Sequence, residues 1–151
     1  MMGDDAMRMM ALAPVLILAA CSGAPQAPVA GDAYVRLAAV PGRPAAGYAV
    51  LHGGAKDAAL VQITAPGVAR IELHNSRMTG NGMMAMDAVK AVPVPKAGTV
   101  KLAPGGFHAM LFGLPAGVTP NGKLPLTFRF DDGSAVEVPA TVIGAGEAAP
   151  E

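Results

Sequence analysis

The sequence predicts an all-β domain, a Greek-key β-sandwich or barrel of about eight to nine short strands. Three observations lead there. The chain of 151 residues scatters 19 Gly and 14 Pro along its length, which breaks long helices and supplies many turns. Its apolar stretches are short and mostly alternate with polar residues, the period of a strand. No segment shows a sustained helical period.

The expected strands follow in order: Ala33 to Ala38, Tyr48 to His52, Ala59 to Thr64, Val68 to His74, Met84 to Lys90, Thr99 to Leu102, Phe107 to Phe112, Leu124 to Phe130 and Ala135 to Val142. Turn chemistry separates them: "PGRP", "HGGAKD", "APG", "TGNG", "PKAG", "APGG", "PNGK" and "DDG". The "DDG" at Asp131 to Gly133 is a hairpin signal, not an acid–base pair. Regular spacing of this kind is what a sandwich or barrel requires.

The formal charge is zero and charged residues make up 15% of the chain. Nothing there grips nucleic acid or anionic lipid electrostatically. The single cysteine excludes an intrachain disulfide, a CxxC redox pair and a thiolate cluster. It stands in "VLILAACSG", where small residues precede Cys21 after an apolar run. That is the form of a bacterial lipoprotein signal, in which the cysteine is acylated and becomes the mature N-terminus. The run from Met9 to Ala20 is too short to span a bilayer but suits a signal core. Asp4 and Asp5 do not suit a signal, whereas a start at Met7 leaves Arg8 as the expected positive charge.

The organisation read from these features is a lipoprotein signal over 1–20 and a flexible tether over 21–31. A folded domain over 32–143 and a short tail over 144–151 follow. Ser22 after the cysteine, in place of Asp, implies sorting to the outer membrane of a Gram-negative cell. The expected location is therefore the periplasm, by way of a lipid anchor.

The methionines are unevenly placed. Five of ten fall within the first ten residues, and Met78, Met83, Met84 and Met86 crowd into nine more. In "VARIELH", Ala69, Ile71 and Leu73 alternate with Arg70, Glu72 and His74, so His74 continues the polar face. In "FHAMLF", His108 and Met110 share one face of a strand. Taken singly, His108 reads as a hydrogen-bonded strand histidine and Met110 as core filler. With His74 and the Met84–Met86 face of the methionine-rich segment they offer a soft, neutral set of imidazoles and thioethers. Such a set selects Cu(I); zinc would ask for thiolates, His or carboxylates in a closed tetrahedron, and calcium for oxygen clusters. Outside the cytoplasm thiols oxidise to disulfides, which a thioether cannot form, so methionine is a suitable copper ligand there.

The spacing resembles a known family, the periplasmic copper chaperones called PCu(A)C. Their motif is His, an optional Met, ten residues, Met, twenty-one residues, then His-x-Met. Here His74 and Asn75 precede ten residues to Met86, and twenty-one more lead to His108-Ala109-Met110. The likeness extends from Asp32 to about Val142, through "DAYVR", "PGRPAAGY", "VARIELH", "VPVPKAGTVKLAPGGFHAMLFGL" and "LPLTFRFDDG". It implies a cupredoxin-like fold and a Cu(I) site at His74, Met86, His108 and Met110. The implied function is non-enzymatic delivery of copper to the dinuclear centre of cytochrome c oxidase. Partners would be that enzyme's subunit II or another copper chaperone, with the membrane held through lipid and no nucleic acid involved.

Asn75 stands at the optional Met position and removes one auxiliary sulfur. The tail "GAGEAAPE" holds no His or Met, so the Cu(II)-binding extension of some relatives is not expected. Met84 is the alternative ligand, Met78 and Met83 are expected to pack in a loop or rim the copper, and His52 is a surface histidine. A copper buffer without a client would use the same residues. A metal-free β-sandwich lipoprotein would leave the spacing unexplained. A blue-copper electron carrier needs a cysteine ligand, and the sole cysteine is assigned to lipid.

Overall fold

The computed structural model describes residues 25–151. Cys21 and the signal segment lie outside the described residues. The strands are β1 (Val29–Arg36), β2 (Ala45–His52), β3 (Ala58–Thr64), β4 (Arg70–Met78), β5 (Met84–Ala88), β6 (Val92–Val94), β7 (Thr99–Leu102), β8 (Phe107–Phe112), β9 (Lys123–Phe130) and β10 (Ala135–Ile143). The described residues contain no helix, as the sequence predicts. They hold ten strands where eight to nine were expected. The extra one is β6, "VPV", with Val92 and Val94 fully buried around an exposed Pro93. Three residues are too few for alternation to register.

The strands join in one hydrogen-bonded path, β5-β4-β8-β2-β1-β10-β9-β3-β6, with β7 paired to β2. All pairings are antiparallel except β1 with β10, which run parallel and bring the first and last strands side by side. The sheet curls so that its inner faces share one core. Leu51, Leu60, Leu111, Leu126, Phe128 and Phe130 are among its best-buried side chains.

Alternation explains which side of β8 does what. Ala109 and Leu111 are fully buried in the core, and their register partners on β4, Leu73 and Ile71, face the same way. His108 and Met110 therefore lie on the outer face of the sheet. Two turn glycines set the ends of the strands that matter. Gly82 (φ +77) closes the β4–β5 hairpin and Gly105 (φ +83) precedes β8, both in the left-handed region that side chains resist. Thr79 braces the hairpin: its N–H and its hydroxyl both donate to the Met83 carbonyl, at 2.7 and 2.8 Å.

Candidate metal centre

The outer face of β5-β4-β8 collects the residues singled out by spacing. Across β4 and β8, His74 stands opposite His108 and Glu72 opposite Met110. Across β4 and β5, Ser76 stands opposite Met86 and His74 opposite Ala88. Register partners project to the same side of a sheet, so His74, Met86, His108 and Met110 occupy one surface. A cavity of about 210 Å³ is lined by Met86, His108 and Met110, with Tyr48, Pro104 and Gly105 among its walls.

The two imidazole ring centres are 5.9 Å apart. With metal–nitrogen bonds of about 2 Å, each ring centre lies roughly 3 Å from a bound ion, so rings sharing one ion sit within roughly 6 Å. The observed separation meets that condition.

Hydrogen bonding assigns the free nitrogens. His108 Nδ1 lies 3.0 Å from the Gly106 carbonyl, which can only accept. The ring therefore donates through Nδ1, and Nε2 carries the lone pair. In His74 the arrangement is reversed. Its Nε2 lies 3.0 Å from Glu72 Oε2, so in the neutral ring Nε2–H donates to the carboxylate and Nδ1 carries the lone pair. That Nδ1 is buried with no hydrogen-bond partner among the described residues. A buried orphan of this kind is costly to a protein unless something occupies it; a metal ion is one such occupant. Glu72 is held in turn by Arg70 Nε at 2.7 Å, and the Arg70 guanidinium lies over the Phe112 ring at 4.1 Å. The hydrogen bond from His74, the largest influence, together with the Arg70 guanidinium holds the Glu72 carboxyl below its ordinary value against an opposing effect of burial.

The histidines are more buried than the place of His74 on a polar strand face leads one to expect. His108 is 5% exposed and the His74 side chain 14%, whereas Met86 is 54% exposed. β8 is an interior strand between β4 and β2, and Tyr48, Pro104 and Gly105 wall the hollow over His108. His108 lies at the base of the hollow, His74 faces it from β4, and Met86 is the exposed member.

Among the described residues no group of three or more His, Cys, Asp or Glu is placed to hold a metal ion, so a site here depends on the thioethers. His52 stands apart, its ring 3.2 Å from Thr99 Oγ1. Met84 lies two residues from Met86 on β5 and stands opposite Met78. Spacing alone overlooked Glu72 and Arg70. The signal was present in "RIELH", where Glu72 sits two residues before His74 on the same strand face.

A family described as "Putative lipoprotein LpqE-like" matches residues 29–142. The chain belongs to the LpqE-like family. This LpqE-like chain is also similar to "Putative lipoprotein Lxx21020" of Leifsonia xyli subsp. xyli (strain CTCB07). The two are 37% identical over 94 residues, which is 62% of this chain and 56% of that protein. The chain thus aligns with little more than half the length of that relative.

Among solved structures, the Cu(I) form of DR1885 from Deinococcus radiodurans resembles it with a TM-score of 0.62 and 28% identity, over 83% of each chain. The copper-bound PCuAC domain from PmoF2 resembles it with a TM-score of 0.64 over 81% of this chain and 96% of that one. At 15% identity this second likeness speaks for the fold alone. The expected likeness to PCu(A)C domains holds at the level of fold, and the LpqE-like domain is cupredoxin-like.

Proposed function

We propose that this LpqE-like protein is a copper metallochaperone that binds one Cu(I) through His74 Nδ1, His108 Nε2 and the thioethers of Met86 and Met110. The observation that carries the reading is the facing pair His74 and His108. Each ring is hydrogen-bonded through one nitrogen, and the other nitrogen is left as a lone pair on the sheet face that also carries Met86 and Met110. The set is neutral and soft, which favours Cu(I) over zinc or calcium. The Cu(I) form of DR1885, of like fold at 28% identity, supports it.

The chemistry is ligand exchange, not catalysis. Met86, the exposed member, is displaced first by an incoming ligand, and the half-buried Met110 and the imidazoles follow. The client is the dinuclear copper centre of cytochrome c oxidase subunit II, reached directly or through a second copper chaperone. The protein works in the periplasm, tethered to the outer membrane by lipid on Cys21, with residues 32–143 as its copper-binding domain. The "lipoprotein" description of its family supports the anchor.

Copper content of the protein isolated from its native compartment, followed by Cu(I) transfer to purified oxidase copper domains, tests this directly. Protein without bound copper would leave the metal-free lipoprotein reading. Met86→Leu keeps bulk and removes sulfur, so it should lower Cu(I) affinity with the fold intact. Met84→Leu should leave that site nearly unchanged, and the reverse ranking would mean that the register through "GMMAMD" is wrongly assigned. A gene deletion that alters copper tolerance but not oxidase assembly would favour a buffer. Cys21→Ser should shift the protein from the membrane to the soluble fraction, and identical fractionation would sink the lipid anchor.

A further inference from the structure

Six large hydrophobic side chains are exposed among the described residues, and four of them are the methionines of one hairpin: Met78, Met83, Met84 and Met86, at 65, 64, 55 and 54%. Exposed apolar side chains gathered on one small element mark a site that meets something. Their placement is ordered. Met78 on β4 stands opposite Met84 on β5, and the next rung on the same face is Ser76 opposite Met86. The rung after that is Ala88 opposite His74. The other face of the hairpin is charged, with Arg77 Nε 2.9 Å from Asp87 Oδ2.

Facing side chains in antiparallel strands have Cβ atoms about 5 Å apart, within reach for two flexible thioethers to close on one ion. Along the strand, four residues span about 13 Å, so Met78 is too far from His74 to share its ion. Met84 lies about 6.7 Å along β5 from Met86 on the same face. The bracing of Thr79 on the Met83 carbonyl fixes the end of the hairpin and so holds Met78 against Met84. In the turn itself, Met83 Sδ accepts from the Asn81 side-chain amide at 3.9 Å, which gives that sulfur another occupation.

We propose that Met78 and Met84 form a second, thioether-only site for a soft univalent ion, Cu(I) in the cell. Met86 connects it to the His74–His108 centre. The site is neutral, lacks imidazole and is open to water, so it binds more weakly and exchanges faster than the main centre. It collects the ion at the hairpin end and passes it to Met86, one rung away. This feeding role rests on the four-residue reading above; the site itself does not. The rival occupant of such a surface is an apolar partner, since methionine also serves adaptable protein contacts. Leucine separates the two, because it keeps the apolar surface and removes the sulfur.

The test is a titration of the detergent-solubilised full-length chain, labelled at methionine methyl carbons, with silver nitrate as a redox-stable substitute for Cu(I). The first equivalent should move the Met86 and Met110 methyl resonances, and the second should move those of Met78 and Met84. The Met78→Leu/Met84→Leu double variant should weaken the second binding event at least tenfold and leave the first unchanged. A second event that persists in that variant would overturn the proposal. So would Met78 and Met84 resonances that stay still at two equivalents. If Met78 and Met84 respond while Met86 and Met110 do not, the thioether site stands and the four-residue centre falls.

Discussion

His74 and His108 face one another but are steered by different groups. His108 leans on a backbone carbonyl, an acceptor that no substitution of a side chain removes. His74 depends on the Glu72 carboxylate, which is itself clamped by Arg70. Carboxylates behind metal-binding histidines fix ring orientation and tautomer, and losing one typically costs about 10–100-fold in metal affinity. Glu72→Ala should therefore weaken Cu(I) binding by that order, and Glu72→Gln, which keeps an acceptor, by less. In the metal-free protein the imidazole nitrogen shifts of His74 should report the Nε2–H form, and Glu72→Ala should spread the ring over both tautomers. Unchanged shifts and affinity would mean that Glu72 is only a surface partner of Arg70. The ligand candidates themselves were legible because His-x-Met and the two long gaps are fixed distances along the chain. Their depth was not, since Tyr48, which joins the neighbouring Pro104 and Gly105 in enclosing His108, comes from a distant part of the sequence.

Strand β8 carries the core on one face and half of the candidate centre on the other. Leu111 is fully buried and stands beside Met110 in the chain. Leu111→Ala should destabilise the protein by about 2–5 kcal/mol, as buried Leu→Ala changes do, with a lower denaturant midpoint as the readout. Copper affinity measured well below that midpoint should fall far less than in Met86→Leu, because the removed atoms lie on the opposite face. Equal losses of stability and affinity would show that the two faces of β8 are not separable. Most strands were readable from alternation between turn signals. β4 runs past the predicted end at His74 to Met78, since its last rungs are stabilised by pairing with β5 and not by burial. That kind of support leaves no apolar trace in a sequence.

Across the whole molecule, the parallel pairing of β1 with β10 ties the beginning of the domain to its end, and the curled sheet closes over a single core. An all-β architecture could be read from glycine, proline and short alternating runs. The order of strands in the sheet could not, because no local pattern states that β8 lies between β4 and β2. The core has one further property: among the described residues it is built from Ala, Val, Leu, Ile and Phe, with no methionine. Among those residues sulfur is confined to the outer face and the hairpin, where oxidants reach it. Peroxide converts thioethers to sulfoxides, polar groups that no longer pack or ligate as methionine does, and methionine sulfoxide reductases reverse the change. Mild peroxide should oxidise Met78, Met83, Met84 and Met86 first, weaken Cu(I) uptake as Met86→Leu does and leave the thermal midpoint nearly where it was. Mass spectrometry of the oxidised residues alongside thermal unfolding would show this, and a midpoint that collapses with the first sulfoxides would refute it. By keeping its sulfur out of the core, the domain separates what oxidation can silence from what holds it folded, so that reductive repair restores a function without the need to refold a protein.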